Sequence, residues 1–408
     1  MNFSRGFSIN LLCTGLTFGI GFANQVIITR NLGEQGRGEL TLIATCLMLA
    51  TLLMGEWLSR GNTYLTGKED QGRAALANTI IYSIALGLFL LTAALLCGRI
   101  DSVESLAFLG RREIVFPVAG IALALVAQKA VQAIALGQNR VVLYALMPVL
   151  FISTYFVSSL VAIYIYDASL HGVLNAWLVG AVVSLVATVV YTCRWERIEL
   201  RWDTQLFRRA LSIGGRGAIS SILIFLLFRS DIYLVEHVLG IKALGVYAVA
   251  VIIAEMMQRV PNLAGSVLLP RVMAADAGSA DRLSSSVARN ILLFSLAVAL
   301  LLIVVGEPII SLFGEHFSAA YGPLIWMLPG LVASGFGSVL NTRLAAEGYP
   351  AITIWAPGVA LGLNVALNLL LIPAMGLVGA AMATSVAYVV WTALVALDYW
   401  RAPSPKSG

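Results

Sequence analysis

Apolar residues lie along this chain in long runs that short polar segments separate. Each run has about the 20 residues that an α-helix needs to cross the hydrocarbon core of a bilayer. The predicted spans 1 to 12 are residues 7–29, 38–60, 75–97, 114–137, 141–165, 172–193, 210–235, 243–268, 290–313, 322–345, 350–372 and 376–399. The pattern predicts an all-α, polytopic membrane protein with about twelve transmembrane helices.

The predicted connections are too short to hold a soluble domain. The longest has about 15 residues, near 194–209, so any function must come from the helices and their ends. Span 9 is the weakest, because Gly306, Glu307 and Pro308 interrupt it. The first run is longer than the apolar region of a signal peptide and lacks a clear cleavage site, so we interpret it as a mature helix.

The composition supports a lipid environment. Hydrophobic residues make up 59% of the chain and charged residues only 12%, whereas a soluble domain carries about a quarter charged residues. The net charge of +5 comes from basic residues that border the spans, so we expect membrane lipids and no nucleic acid as partners. Four cysteines without metal-ligand spacing are interpreted as small apolar fillers.

Lysine and arginine residues predict the orientation of the spans. With the N-terminus inside, 17 of the 26 basic residues fall in inner segments and 6 in outer ones. Positive charge is enriched in cytoplasmic loops. Both termini are therefore predicted to be cytoplasmic, which requires an even number of spans.

Glycines recur at a nearly constant offset of about half the chain. The recurring pairs are Gly33 and Gly240, Gly38 and Gly245, Gly172 and Gly376, and Gly137 and Gly348. Glycine is common in short turns, but turn chemistry alone does not explain a shared offset. The pattern predicts two six-helix bundles, residues 1–200 and 201–408, related by a pseudo-two-fold axis along the membrane normal.

Two stretches carry a resemblance to a known family. They read AEMMQRVPNLAGSVLLPRV at 254–272 and LNLLLIPAMGLVGAAMATSVAY at 367–388, and the Arg229-Ser230-Asp231 step of span 7 is similar too. Together with the repeat they resemble the polysaccharide transporters, the O-antigen and exopolysaccharide flippases of the multidrug/oligosaccharidyl-lipid/polysaccharide exporter superfamily. The chain is short for that family, with trimmed loops.

The resemblance implies a function and its partners. It implies a flippase of the inner membrane that moves a polyprenyl-pyrophosphate-linked oligosaccharide to the periplasm by alternating access, for O-antigen, lipopolysaccharide or other surface polysaccharide biosynthesis. The implied partners are the lipid-linked oligosaccharide, H+ or Na+ as coupling ion, and the polysaccharide polymerase machinery. No cofactor is implied.

Polar residues within the spans are the candidate substrate-binding residues, because charge at the bilayer centre is costly. Glu56 with Arg60, and Glu255 with Arg259, have the i,i+4 spacing of self-neutralising pairs. Lys129 has no acid three or four residues away, so we predict that Lys129 and Arg229 face a central cavity and attract the pyrophosphate. The full candidate set is Asn24, Gln25, Arg30, Glu56, Arg60, Gln128, Lys129, Arg229, Asp231, Glu255 and Arg259.

Other functions fit the sequence less well. A membrane glycosyltransferase, polymerase or ligase needs catalytic groups on sizeable outer loops, and here these loops are short. We find no metal-ligating set, and GNTYLTGKE at 61–69 departs from a phosphate-binding loop in spacing and in its last residue. A multidrug exporter of the same superfamily is the nearer alternative. Its buried carboxylate is missing from span 1, where no acid precedes Glu34. A non-transporting scaffold leaves the buried charges unexplained.

Overall fold

The computed structural model describes residues 3–69, 71–97, 112–138, 140–166, 169–193, 201–348 and 350–401. Within these residues the regular structure is helical throughout. Eleven α-helices are α1 (Phe3–Thr51), α2 (Trp57–Glu69), α3 (Gly72–Cys97), α4 (Arg112–Gly137), α5 (Val141–Ile165), α6 (Leu170–Cys193), α7 (Thr204–Leu239), α8 (Ile241–Ala274), α9 (Ala277–Ser311), α10 (Tyr321–Ala346) and α11 (Ile352–Arg401). A π-helical turn, Leu52–Glu56, joins α1 to α2, and a 3-10 helix, Glu315–Ala320, precedes α10.

The twelve predicted spans are recovered in these helices. Ten helical stretches in the described residues are long and apolar enough to cross a membrane. Two of them, Leu12–Gly67 and Ile352–Arg401, have 56 and 50 residues, about 75 to 85 Å of helix at 1.5 Å per residue. The hydrocarbon core is only about 30 Å thick, so each of the two holds a pair of spans. The predicted class, a polytopic all-α membrane protein, is confirmed.

Glycine makes the breaks that divide these long helices. Gly33 interrupts α1 with φ 65° and ψ −171°, and Gly376 interrupts α11 with φ 60° and ψ −139°. Gly240 separates α7 from α8 with φ 84° and ψ 172°. A side chain at such a φ clashes with the backbone, so only glycine adopts it readily. One residue therefore ends one span and starts the next without a loop.

The first compact unit consists of Met1–Leu32 and Ile43–Ala218. Its middle helix is α4, which packs against α2, α3, α5 and α6. Buried Leu58, Leu65, Leu76 and Ile134 belong to its apolar core. Asn62 ties three helices together, because its side-chain amide donates to Thr79 Oγ1 at 2.8 Å and to the Ala130 carbonyl at 3.3 Å.

The second compact unit consists of Gly33–Leu42 and Ile219–Gly408. Its middle helix is α10, which packs against α8, α9 and α11. Small residues let α10 and α11 approach closely, since Gly330 lies against Ser385 and Gly337 lies against Thr392. The Gly330 amide donates to Ser385 Oγ at 2.7 Å. Small residues at helix interfaces are the usual means of tight packing in membranes.

A pair of glycines within the second unit makes reciprocal contacts. A Cβ on Gly38 would overlap the carbonyl of Ile241, and a Cβ on Gly245 would overlap the carbonyl of Glu34. Gly38 and Gly245, like Glu34 and Ile241, are 207 positions apart. Each glycine thus contacts the residue that starts the other's helical segment, which is the contact pattern of a local two-fold axis.

The remaining repeat glycines differ in conformation, and the compact units do not follow the predicted halves throughout. Gly348 and Gly376 have positive φ, whereas Gly137 and Gly172 lie within helices α4 and α6. Residues 33–42 belong to the second unit and residues 201–218 to the first, and the boundary at Ala218 falls inside α7. The division at residue 200 and the pseudo-two-fold relation of whole halves stay predictions. The longest predicted connection falls partly on residues 194–200, outside the described residues.

We predict that Gly38→Ala and Gly245→Ala each lower the thermal unfolding midpoint of the purified protein by several degrees. The added methyl group forces two backbones apart, and overpacking typically costs about 1–3 kcal/mol. Gly362→Ala is the matched control, because nothing lies within 4 Å of a Cβ at that position. Alanine favours a helix over glycine, so the control is expected to match or exceed the wild type. Equal midpoints for all three variants would contradict the close crossing.

Candidate functional site

Three charged side chains of the first unit form an ion cluster, here called the first charged cluster: Glu56, Arg60 and Lys129. Glu56 accepts from Arg60 Nε at 2.8 Å and forms a second ion pair with Lys129 Nζ. The Glu56 side chain is 11% exposed, whereas Arg60 and Lys129 keep 32% and 37%. The acid is thus enclosed while both cations remain accessible, and the three formal charges sum to +1.

An irregular helical turn sets the position of the Glu56 side chain. The π-helical turn Leu52–Glu56 ends at this residue, and π turns inside membrane helices shift the face that the following residues present. Gly55 next to it allows close packing on Val126 of α4, three residues before Lys129. On the other side, Arg60 packs over Gly217 of α7, where a Cβ would meet its guanidinium. Small residues therefore make room for the cluster.

A second ion pair lies in the second unit, between Arg229 of α7 and Glu255 of α8. The Arg229 side chain is 14% exposed and Glu255 is 39% exposed. Arg259 is exposed, and no ion pair of it occurs within the described residues, so the contact with Glu255 that the sequence spacing left open is not made. The i,i+4 spacing permits that pair, but Arg229 reaches Glu255 from a neighbouring helix and is more shielded.

Asp231 is the most enclosed acid of the candidate set. It is 2% exposed, and its carboxylate accepts from Tyr247 Oη at 2.6 Å, Thr384 Oγ1 at 3.2 Å and the Ile232 amide at 2.9 Å. These donors are all neutral. A buried carboxylate is costly unless it is hydrogen-bonded or neutralised, so the three bonds explain how the charge is tolerated.

Two asparagines of α11 extend this polar region, here called the Asp231 network. Asn364 accepts from Ser230 Oγ at 2.9 Å and its amide lies 3.5 Å from Thr384 Oγ1. Asn368 donates to the Asn364 side-chain oxygen at 2.9 Å. Both asparagines are fully buried, and Asn368 Oδ1 has no donor in the described structure. The network therefore gathers oxygen atoms of Asp231, Asn364, Asn368 and Thr384.

Four of the predicted residues belong to none of these groups: Gln128, Asn24, Gln25 and Arg30. Gln128 is buried, and its amide donates to Ser184 Oγ at 2.6 Å, which joins α4 to α6. Asn24 is 1% exposed, and neither side-chain polar atom has a hydrogen-bond partner among the described residues. Gln25 is half-buried and Arg30 is exposed. Their assignment to a substrate cavity stays a prediction.

Sequence reasoning missed the partners of Asp231. Tyr247 lies on α8, whereas Thr384, Asn364 and Asn368 lie on α11, far from Asp231 in sequence. One local signal was available, since Asn364 and Asn368 are four residues apart and share a helix face. Two side-chain amides on one face of an otherwise apolar span indicate that this face packs against a polar group of another helix.

Comparison with known proteins gives the fold class and then the family. The chain superposes on an inward-facing multidrug resistance MATE family transporter of the MOP superfamily with TM-score 0.75 and 14% identity, covering 96% of this chain and 97% of that one. It also superposes on the lipid II flippase MurJ in an inward closed conformation with TM-score 0.72 and 14% identity, covering 95% and 87%. At these identities the likeness shows the fold alone.

The family follows from the sequence profile of the polysaccharide biosynthesis proteins, which matches residues 3–275. Because this is more than half of the chain, the protein belongs to that family. One relative is the probable low-salt glycan biosynthesis flippase Agl15 of Haloferax volcanii, which is 24% identical over 221 residues. The match covers 52% of this chain and 47% of the relative, so the chain spans about half of that protein's length.

We predict that Glu255 is energetically coupled to Arg229 and uncoupled from Arg259. A double-mutant cycle of Glu255→Gln with Arg229→Gln should give a coupling on the order of 1 kcal/mol, because each single change leaves a shielded charge without its partner. The cycle with Arg259→Gln should be additive to within about 0.5 kcal/mol. Unfolding of the purified variants measures both cycles, and a larger coupling to Arg259 would reverse the assignment.

Proposed function

We propose that this protein moves a polyprenyl-pyrophosphate-linked oligosaccharide across the bacterial inner membrane by alternating access. The product would serve surface polysaccharide biosynthesis, with O-antigen of lipopolysaccharide as one such polymer. Family membership, the glycan flippase among its relatives and the fold it has in common with a lipid II flippase support the proposal. The excess of basic residues in the predicted inner segments supports cytoplasmic termini.

The observation that carries the proposal is the formal charge of +1 on the first charged cluster. Glu56 forms ion pairs with both Arg60 and Lys129, and the two cations are partly exposed. Charge within a membrane span marks a candidate functional site. The two phosphates of a pyrophosphate would bring negative charge to these two accessible cations.

The two cations recognise a pyrophosphate in different ways. Lysine acts as a point charge, while the arginine guanidinium presents a planar fork to two phosphate oxygens. Side-chain amides and hydroxyls of the spans would meet the sugars, and the polyprenyl tail would stay in lipid. This division of labour needs no covalent chemistry, so the proposed protein is a transporter and not an enzyme.

We predict that Lys129→Ala and Arg60→Ala each reduce surface polysaccharide at least tenfold in a strain that lacks its own flippase. Each change removes one phosphate-facing charge, and a charge-assisted hydrogen bond contributes about 1.5–3 kcal/mol. Lys129→Arg should keep part of the export, because the charge remains while the donor geometry changes. Lys129→Gln should not. Immunoblots of the polysaccharide, normalised to the level of membrane-inserted protein, give the measurement.

The matched control is Arg289→Ala, which removes an exposed arginine of α9 and should leave export unchanged. The same assay tests Arg229→Ala, since the sequence predicts a phosphate contact there as well. Full export by the Lys129→Ala, Arg229→Ala double variant at normal protein level would defeat the anion site.

We further propose that a monovalent cation, H+ or Na+, binds at the Asp231 network and couples transport to an ion gradient. The network brings one carboxylate together with neutral oxygen atoms in a fully buried site. Asn368 Oδ1 is aligned with no donor of the described residues, and a buried acceptor of this kind needs a proton donor or a cation. Neutralising Asp231 would remove the main cost of its burial.

We predict that Asp231→Asn abolishes the dependence of export on the ion gradient, because the amide neither ionises nor balances a cation. Export into vesicles is measured once under an imposed pH gradient and once under an imposed Na+ gradient at constant pH. The comparison of the two rates distinguishes the two ions. Glu315→Gln, an exposed acid of the 3-10 helix, is the control and should respond as the wild type. Unchanged gradient dependence in Asp231→Asn would exclude this coupling site.

The competing function is export of cationic compounds. Its support is the formal charge of −1 shared by Arg229, Asp231 and Glu255, together with the fold of multidrug transporters. Efflux of a fluorescent cationic dye from cells separates the two functions. Dye efflux that Lys129→Ala leaves intact, in a protein that restores no polysaccharide, would favour the exporter.

A further inference from the structure

We infer that Tyr82 of α3 is a positioning residue for the first charged cluster. Its hydroxyl holds the π-helical turn Leu52–Glu56 and thereby sets the pairing of Glu56 with Lys129. The consequence for transport rests on the proposed function, in which Arg60 and Lys129 bind the pyrophosphate.

Two side chains donate hydrogen bonds to successive carbonyls of this turn. Tyr82 Oη donates to the Met54 carbonyl at 2.7 Å, and Trp57 Nε1 donates to the Leu53 carbonyl at 3.0 Å. A π turn bonds a carbonyl to the amide five residues on instead of four, so it interrupts the regular ladder. Carbonyls at such an interruption need other donors where water is scarce. The Tyr82 hydroxyl supplies one from a separate helix, whereas Trp57 follows the turn directly in sequence.

Aromatic packing keeps the Tyr82 ring beside the turn. The centroid of the ring lies 5.6 Å from that of Trp57 and 5.7 Å from that of Phe207 on α7. Trp57 and Phe207 are themselves 5.6 Å apart at an interplanar angle of 87°. Aromatic pairs at these separations are favourable. The ring therefore stays in place when only its hydroxyl is removed, so Tyr82→Phe isolates the hydrogen bond to Met54.

The two ion pairs of Glu56 depend on the turn to different degrees. The contact with Arg60 has i,i+4 spacing, which any α-helical conformation preserves. Lys129 reaches Glu56 from α4, so this pair depends on the face that Glu56 presents to that helix. At 3.6 residues per turn, a gain or loss of one residue rotates a helical position by about 100°. Because Glu56 belongs to the π-helical turn, relaxation of the turn would separate it from Lys129 and leave Arg60 beside it.

The test measures the coupling of Glu56 to each cation with and without the Tyr82 hydroxyl. Double-mutant cycles pair Glu56→Gln with Lys129→Gln and with Arg60→Gln, and unfolding of the purified proteins gives both couplings in the wild-type and Tyr82→Phe backgrounds. We expect Tyr82→Phe to lower the Lys129 coupling by about half or more and to leave the Arg60 coupling unchanged. A merely structural role of Tyr82 would not separate the two couplings. An unchanged Lys129 coupling would overturn the inference.

Tyr321→Phe is the matched control. The Tyr321 hydroxyl donates to the Ile303 carbonyl of α9 at 2.7 Å, so the variant removes the same kind of bond in the second unit. Ile303 lies inside a regular α-helix and not in a π-helical turn. Both couplings of Glu56 should match the wild type. A loss of the Lys129 coupling as large as in Tyr82→Phe would contradict a role specific to the turn.

Flipping of a polyprenyl-pyrophosphate-linked oligosaccharide in vesicles separates the positioning role from the proposed function. The mole fraction of this lipid that gives half-maximal flipping should rise about two- to tenfold in Tyr82→Phe, the size of one net hydrogen bond. The maximal rate should stay unchanged. If the Lys129 coupling falls and this mole fraction does not rise, the positioning role stands and the proposed anion site fails. If the coupling is unchanged and Lys129→Ala still reduces flipping, the anion site stands and the positioning role fails.

Discussion

Pairing of buried charge is the constraint on which the functional part of this structure depends. Hydrocarbon offers no water to solvate an ion, so each ionised group within a span needs a partner from the protein or from a ligand. Glu56 meets two cations, Arg229 meets one acid, and Asp231 is held by neutral donors. These three arrangements differ in how completely protein groups balance the formal charge. We expect ligands to bind where the formal charges of the protein groups do not sum to zero.

The architecture was largely predictable because its signals are local. A run of about 20 apolar residues predicts a span whatever lies elsewhere in the chain. Gly33 and Gly240 stand out in the sequence because they recur at the repeat offset. Both have a positive φ, which explains why both positions hold glycine. The predicted weakness of span 9 was not realised, since α9 runs through Pro308 to Ser311. A proline inside a helix removes a single i→i−4 hydrogen bond, and α9 continues for three residues past Pro308 despite that loss.

The charge partners were not predictable in the same way, because they depend on which helix faces meet. Local spacing predicted the Glu56 and Arg60 contact, but not the addition of Lys129, which is 73 positions from Glu56. The same rule failed for Glu255, where an i,i+4 contact worth only about 0.2–0.5 kcal/mol competes with a more shielded arginine. Asp231 shows the limit most clearly, since its donors come from α8 and α11.

The formal charges of the two polar regions would have a consequence for the proposed transport cycle. The first charged cluster carries a formal surplus of +1, and the second region, with Arg229, Asp231 and Glu255, carries −1. In the proposed mechanism, an anionic substrate would lower the cost of the first charge, and a cation would lower the cost of the second. The cost of a buried charge sets which states are populated, and a ligand shifts the balance only through its differential affinity for two states. Coupling then requires no contact between substrate and ion. It would require only that the conformational change be unfavourable until each region has bound its ligand.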